Sequence, residues 1–233
     1  MKEPVKINIK QLITDIKRNS HPALAIGIDL SASENRPTGF CVLHDQFAEV
    51  DTLKTDDEII SRTINKKPEV ISIDSPLSLP KGRCCVEDSC KCRKFGINRE
   101  AEKLLRKRGI NTYPCLIKSM QKLTVRGIKL SAFFRDRDYS VIESYPGAAQ
   151  DILGFPRKRE NLIKLEKNLG DLGIEINSNK NKLTHDELDA LTAALVGYFY
   201  LVGMYEALGN FDEGYLIIPT IEKETVDKSR DII

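Results

Sequence analysis

Short β-branched apolar runs alternate with turn formers and with stretches of helical spacing along most of this chain. LAIGIDL at 24–30 and FCVL at 40–43 read as buried strands, and the turn-rich SASENRPTG between them predicts a hairpin. Phe47 to Leu53 predicts a third strand. Asp56 to Asn65 predicts a helix with Ile59, Ile60 and Ile64 on one face, and Val70 to Ile73 is a β-branched run that stops at Asp74. A long excursion follows, from Ser75 to Arg137, with helical stretches near Asn98–Arg108 and Ser119–Phe134. Val141 to Tyr145 supplies a fifth strand. Helices are predicted at Ala148–Leu153 and Arg159–Leu172, a strong one from about His185 to Tyr205, and GYLIIP at 214–219 adds a strand near the C-terminus. Ile7, Ile9, Leu12, Ile13 and Ile16 recur at helical spacing and predict a short amphipathic helix packed on the domain. Three strands before the first crossover favour a mixed sheet over a purely alternating doubly wound one.

The 233 residues suit one sizeable domain. The expected organisation is a helical extension at 1–22, a main domain at 23–220 carrying a Cys-rich basic insertion at 81–137, and a tail at 221–233. No apolar stretch is long enough to span a bilayer, and charges interrupt every apolar core that could serve as a signal peptide, so a cytoplasmic protein with no membrane partner is expected. The net charge of +2 conceals an asymmetry. Residues 81–137 hold 16 Lys and Arg against 5 Asp and Glu, a balance of +11, which leaves −9 for the rest of the chain. A basic block beside carboxylates suits an enzyme acting on a polyanion, although such residues also simply solubilise surface helices.

Acidic residues stand at the ends of the apolar runs: Asp29 in LAIGIDLS, Asp74 in VISIDSPLSLP, Glu143 in SVIESYPGA, and Asp186 and Asp189 in THDELDALTAAL. Each has an ordinary explanation. Asp29 and Asp74 could start turns, and Thr184 with Glu187 matches a capping box whose first turn favours acids. Glu143 is harder to dismiss, because alternation places it opposite Ile142 and Ser144, inside a strand, where a carboxylate needs a partner. Asp189 lies a turn into its helix and shares a face with Asp186, Ala190 and Ala193, a face small enough to pack closely on a sheet. Strand tips meeting at one sheet edge, with this helix projecting over them, would form a site for magnesium or manganese and for phosphodiester cleavage. His185 reads either as a proton shuttle or as an ordinary helix-start residue.

Cys84, Cys85, Cys90 and Cys92 fall within nine residues, in GRCCVEDSCKCRKFG. Four thiolates can hold a structural zinc ion, but CC and CxC are tighter than the usual pair of CxxC, so reduced thiols or a redox disulfide stay open. Arg99 and Arg106 on one basic stretch, and Lys122 and Arg126 on the next, are candidate phosphate contacts. Phe95 and Tyr113 could stack on bases.

Five ordered motifs, GIDLSASENRPTG, IDSPLSLPKGR, the RKRGI to LTVRGI segment, VIESYPGA and HDELDALTAAL, together resemble the domain-of-unknown-function family numbered 429 over roughly Ala25 to Pro219. That family is described as predicted nucleases. The resemblance implies an α/β fold of the ribonuclease H-like kind: a five-stranded mixed sheet, its first three strands antiparallel, with helices on both faces. It implies that Asp29 is the first-strand carboxylate, Asp74 the fourth-strand acid, and Asp186 and Asp189 a pair similar to the last-helix aspartates of the bacterial Holliday-junction resolvase. Glu143 matches an acid of the family's own motif. The expected function is a metal-dependent nuclease acting on DNA or RNA. Two other readings stand beside it: a non-catalytic nucleic-acid- or protein-binding module on the same scaffold, and an actin- or sugar-kinase-like phosphotransferase. The last would need a second such domain and a second Gly-rich nucleotide loop, and neither is present in the sequence.

Overall fold

The structure is a computed structural model that describes residues 7–19, 22–157, 161–178, 180 and 182–221. The start of the expected N-terminal extension, the predicted helix start at Arg159 and the tail from 222 onward lie outside the described residues. Helix α1 (Ile9–Arg18) opens on Asn8, whose side chain accepts from the Lys10 N–H at 2.9 Å, and closes on Lys17 and Arg18, which complement the helix dipole. It buries Ile9, Leu12, Ile13 and Ile16, the face expected from their spacing. Strands β1 (Leu24–Asp29), β2 (Thr38–His44) and β3 (Phe47–Leu53) follow, then α2 (Asp56–Lys66), capped reciprocally by Thr55 and Glu58, and β4 (Val70–Asp74). The excursion carries α3 (Glu100–Lys107) and α4 (Gln121–Arg135). After it come β5 (Val141–Ser144), α5 (Pro146–Leu153), α6 (Leu162–Asp171), β6 (Glu175–Asn177), α7 (His185–Leu201), β7 (Tyr205–Asn210) and β8 (Gly214–Pro219). Among the described residues no helix is long and apolar enough to cross a membrane.

The strands form one mixed sheet in the order β6-β3-β2-β1-β4-β5-β8-β7. β1, β2 and β3 pair antiparallel, as the turn-rich connection between the first two predicts, while β4 runs parallel to β1 and β5 parallel to β4. The expected five strands therefore occupy the centre, but the sheet has eight. The three-residue β6 adds parallel to β3 at one edge, and the β7–β8 hairpin extends the other through β8 beside β5. Two of these strands were hidden by length and by a helix boundary. β6 is too short to show alternation, and β7 begins at Tyr205, where the last helix was expected to end. Gly203, at φ +73°, lets the chain leave α7 after Leu201, four residues earlier.

Alternate strand residues face two apolar layers. Ala25, Cys41, Leu43, Ala48, Val50 and Val70 pack with α1, α5, α6 and α7. Ile26, Ile28, Phe40, Val42, Ile71 and Ile73 pack with Ile59 of α2 and with Leu130 and Phe134 of α4. The C-terminal part of the basic excursion is thus integral to the core. α7 lies across β1, β2 and β4. Its Leu188, Leu191 and Leu195 are fully buried, each worth roughly 2–3 kcal/mol relative to exposure. That burial holds the helix N-terminus over the ends of the central strands.

Candidate metal centre and its surroundings

The parallel register of β1 and β4 sets Asp29 directly beside Asp74, each the last residue of its strand. Asp29 has the parity of Ala25 and Gly27, and Asp74 that of Val70, so both carboxylates belong to the face covered by α7. The helix comes unusually close there. A Cβ added at Gly27 would lie 1.9 Å from the Ala190 carbonyl oxygen, and one at Gly39 would lie 1.9 Å from that of Asp186. Only glycine permits this approach. It brings Asp189, buried just past the first turn of α7, over the seam between the two strands, and one carboxylate oxygen from each of Asp29, Asp74 and Asp189 lies within 4.8 Å of the others. Like charges this close repel unless a cation or a proton intervenes. Oxygen ligands at about 2.0–2.6 Å from a divalent ion can be this far apart, so the donor set fits a hard cation.

Gln150 on α5 holds Asp189 in place, donating from Nε2 to Oδ1 at 2.9 Å from a fully buried position. The same nitrogen lies 3.4 Å from the Thr192 hydroxyl, which in turn donates to the Leu188 carbonyl at 2.8 Å. Gln150 is barely marked in the sequence. Its only signal was an amide among small apolar residues in PGAAQDIL.

Asp186 stands outside the three-oxygen cluster. Its backbone carbonyl packs over Gly39 of β2 and not over the β1–β4 seam, and the residue shares with Asp29 a cleft bordered by Ser31, Ala32 and Arg36. Glu143 stands apart as well, for a reason of register. It pairs with Ile73, whereas Ser144 pairs with Asp74, so Glu143 has the parity of the opposite face. There it is buried and clamped by Arg99, with Nη1–Oε2 at 2.7 Å and Nη2–Oε1 at 2.5 Å, and it accepts the Leu77 N–H at 2.7 Å.

This corrects the expectation for Arg99. It is 2% exposed and also bonds Glu102 through Nε and Nη2 at 3.0 and 2.6 Å, leaving it no access to a phosphate. Burial opposes its charge, but Glu143 and then Glu102 hold its pKa well above the ordinary arginine value. Arg126 is likewise buried. Its guanidinium bonds Asp56 at 2.7 Å, the Ser31 carbonyl at 2.8 Å and the Lys54 carbonyl at 3.0 Å, so it pins the loop after Asp29. Arg106 and Lys122 are exposed, and Arg106 reaches Asn98 at 2.6 Å. Lys118, Lys122 and Lys129 line a groove of about 410 Å³ together with Ser33, Val86 and Glu87. Ala32 borders both this groove and the Asp29 cleft, so the two lie side by side.

Along the groove wall, the loop after β4 brings the Sγ atoms of Cys84, Cys85, Cys90 and Cys92 within 4.8 Å of one another. All four are free thiols.

No protein-family model and no curated protein matches this chain. Among solved structures, that of Thermus thermophilus RuvC aligns with 77% of this chain and 96% of its own, at 14% identity and a TM-score of 0.38. A likeness at that level leaves the site to be judged on its own geometry.

Proposed function

We propose that this chain is a divalent-metal-dependent nuclease that hydrolyses phosphodiester bonds on a ribonuclease H-like scaffold, in keeping with the family its motifs resemble. The observation that carries this reading is the convergence of one oxygen each from Asp29, Asp74 and Asp189 at the ends of the central strands. Support for the scaffold comes from the central β3-β2-β1-β4-β5 order, with the first three strands antiparallel.

Asp29, Asp74 and Asp189 would hold magnesium or manganese, the ions suited to carboxylate donors without thiol or imidazole. Such an ion supplies positive charge where a phosphodiester oxygen becomes more negative during hydrolysis. The chain's own residues do the positioning. The β1–β4 ladder fixes Asp29 against Asp74 before any ligand arrives, and Gln150 orients Asp189. Lys118, Lys122 and Lys129 offer ammonium groups to phosphates lying along the adjoining groove. Asp186, in the same cleft as Asp29, is the remaining acid available to a second ion. Six unpaired cysteines suit a reducing compartment, and we assign the activity to the cytoplasm.

The test is cleavage of a panel of labelled RNA and DNA substrates, single-stranded, duplex and branched, with manganese present. Asp29→Asn and Asp74→Asn should each reduce cleavage to background while leaving the fold intact by circular dichroism. Gln150→Ala should weaken manganese binding about 10- to 100-fold by calorimetry, because it removes the bond that orients a ligand. If the wild type cleaves no substrate and binds no manganese, the nuclease reading fails and a binding protein on the same scaffold takes its place.

A further inference from the structure

The cysteine loop forms a second site whose chemistry is unlike that of the aspartates. Cys84 Sγ lies 3.7 Å from Cys90 Sγ, and Cys85 Sγ lies 3.9 Å from Cys92 Sγ. A tetrahedron of sulfurs at about 2.3 Å from a central zinc ion has edges of about 3.8 Å. Both pairs sit at that edge length, and all four sulfurs lie within 4.8 Å of one another. The spacing suits a single ion. A cluster of several irons binds its thiolates to different metal atoms and holds them farther apart.

The surrounding backbone is folded for this convergence. Arg83 is buried, and its guanidinium donates to the carbonyls of Cys85 at 3.1 Å, Glu87 at 3.2 Å and Gly96 at 3.4 Å, tying the two ends of the loop together. The Arg93 N–H donates to the Cys90 carbonyl at 2.9 Å, opening the 3₁₀ turn Lys91–Phe95 that returns Cys92 toward Cys85. Apart from its cysteines, the segment from Lys81 to Phe95 carries Val86 and Phe95 as its apolar side chains, and Phe95 is 50% exposed. So short and polar a segment has little core of its own to hold one conformation, a task that metals often perform in small modules.

We propose that Cys84, Cys85, Cys90 and Cys92 bind one thiophilic divalent ion, with zinc foremost, in a tetrahedral all-thiolate site that fixes the wall of the lysine-lined groove. Val86 and Glu87, which lie in sequence between Cys85 and Cys90, line that groove together with Lys118 and Lys122. The site is independent of the aspartate centre, because soft sulfur donors select zinc or cobalt where carboxylates favour magnesium or manganese.

The experiment uses the full chain, purified under reducing conditions without chelator. Atomic emission should find about one zinc per chain. Replacement by cobalt should give the intense thiolate-to-metal charge-transfer bands and red-region ligand-field bands of a four-sulfur tetrahedral site. Both signals should persist in Asp29→Asn and disappear in the double variant Cys84→Ser, Cys90→Ser. Removing the ion should speed proteolysis between Lys81 and Phe95 by about tenfold or more, as expected if the ion holds that segment closed. A native wild-type chain with no zinc, no cobalt spectrum and four rapidly titrating thiols in this loop would overturn the proposal, as would a cobalt spectrum unchanged in the double variant. Should that variant fail to fold, the wild-type stoichiometry and the number of thiolates in its cobalt spectrum decide the matter. Failure here leaves the aspartate reading untouched, since manganese-dependent cleavage is measured separately.

Discussion

Asp74 ends its strand and Glu143 stands one residue before the end of the next, yet their surroundings give them opposite tasks. Asp74 opens toward two other aspartates, whereas Glu143 shares the buried Arg99 guanidinium with Glu102. Two carboxylates share one guanidinium, so losing Arg99 strands two buried negative charges. Arg99→Met should therefore cost about 3–5 kcal/mol in urea denaturation, the usual penalty for stranding a buried charge. Glu143→Gln should cost less, about 1–3 kcal/mol, because Arg99 keeps Glu102 and the amide can still accept the Leu77 N–H. Manganese binding by Glu143→Gln should match the wild type. A variant with unchanged stability but no manganese binding would instead return Glu143 to the metal centre.

At the scale of elements, the position of α7 decides whether a site exists. Its N-terminus is capped by Thr184 and Glu187, which bond each other's backbone reciprocally at 3.2 and 2.7 Å, so the helix begins at a defined residue. Its height above the sheet is set by Gly27 and Gly39. Gly27→Ala places a methyl where the Ala190 carbonyl oxygen and the Ala194 nitrogen already stand, at 1.9 and 2.4 Å, and neither backbone atom can move without the helix. The substitution should destabilise the fold by about 1–3 kcal/mol or more and weaken manganese binding along with it. Chemical denaturation and calorimetry on one preparation would check both. Stability lost with manganese affinity retained would mean that the helix spacing does not set the centre.

For the whole molecule, the segregation of charge matters more than its sum. The aspartate cleft opens beside a groove whose lining adds Lys118, Lys122 and Lys129 to Glu34 and Glu87, and Ala32 borders both. Each lysine that neutralises a phosphate contributes about 0.7–0.9 to the slope of log K against log salt. Changing all three to Gln should lower that slope by about 2–3 and weaken binding of all sequences alike, with the aspartate site intact. An unchanged slope in fluorescence anisotropy would move the nucleic acid to another face.

Local chemistry alone determined the central strands, the hairpin, the amphipathic α1 and the capping box of α7, because alternation, turn formers and helical spacing operate within a few residues. Asp29 and Asp74 were legible for the same reason: each closes a β-branched run. The cysteine cluster was legible as a density of thiols, though its sulfur spacing was not. Tertiary structure decided the rest. A shift of one residue between β4 and β5 chooses which of Glu143 and Ser144 faces Asp74, and nothing within either strand encodes that register. The burial of Arg99 and Arg126 depends on partners 44 and 70 residues away in Glu143 and Asp56. Basic residues at helical spacing read as surface until those carboxylates are placed. The aspartate centre itself belongs to both levels: sequence placed its carboxylates at strand ends and in a helix, and close packing on two glycines brought the third to the other two.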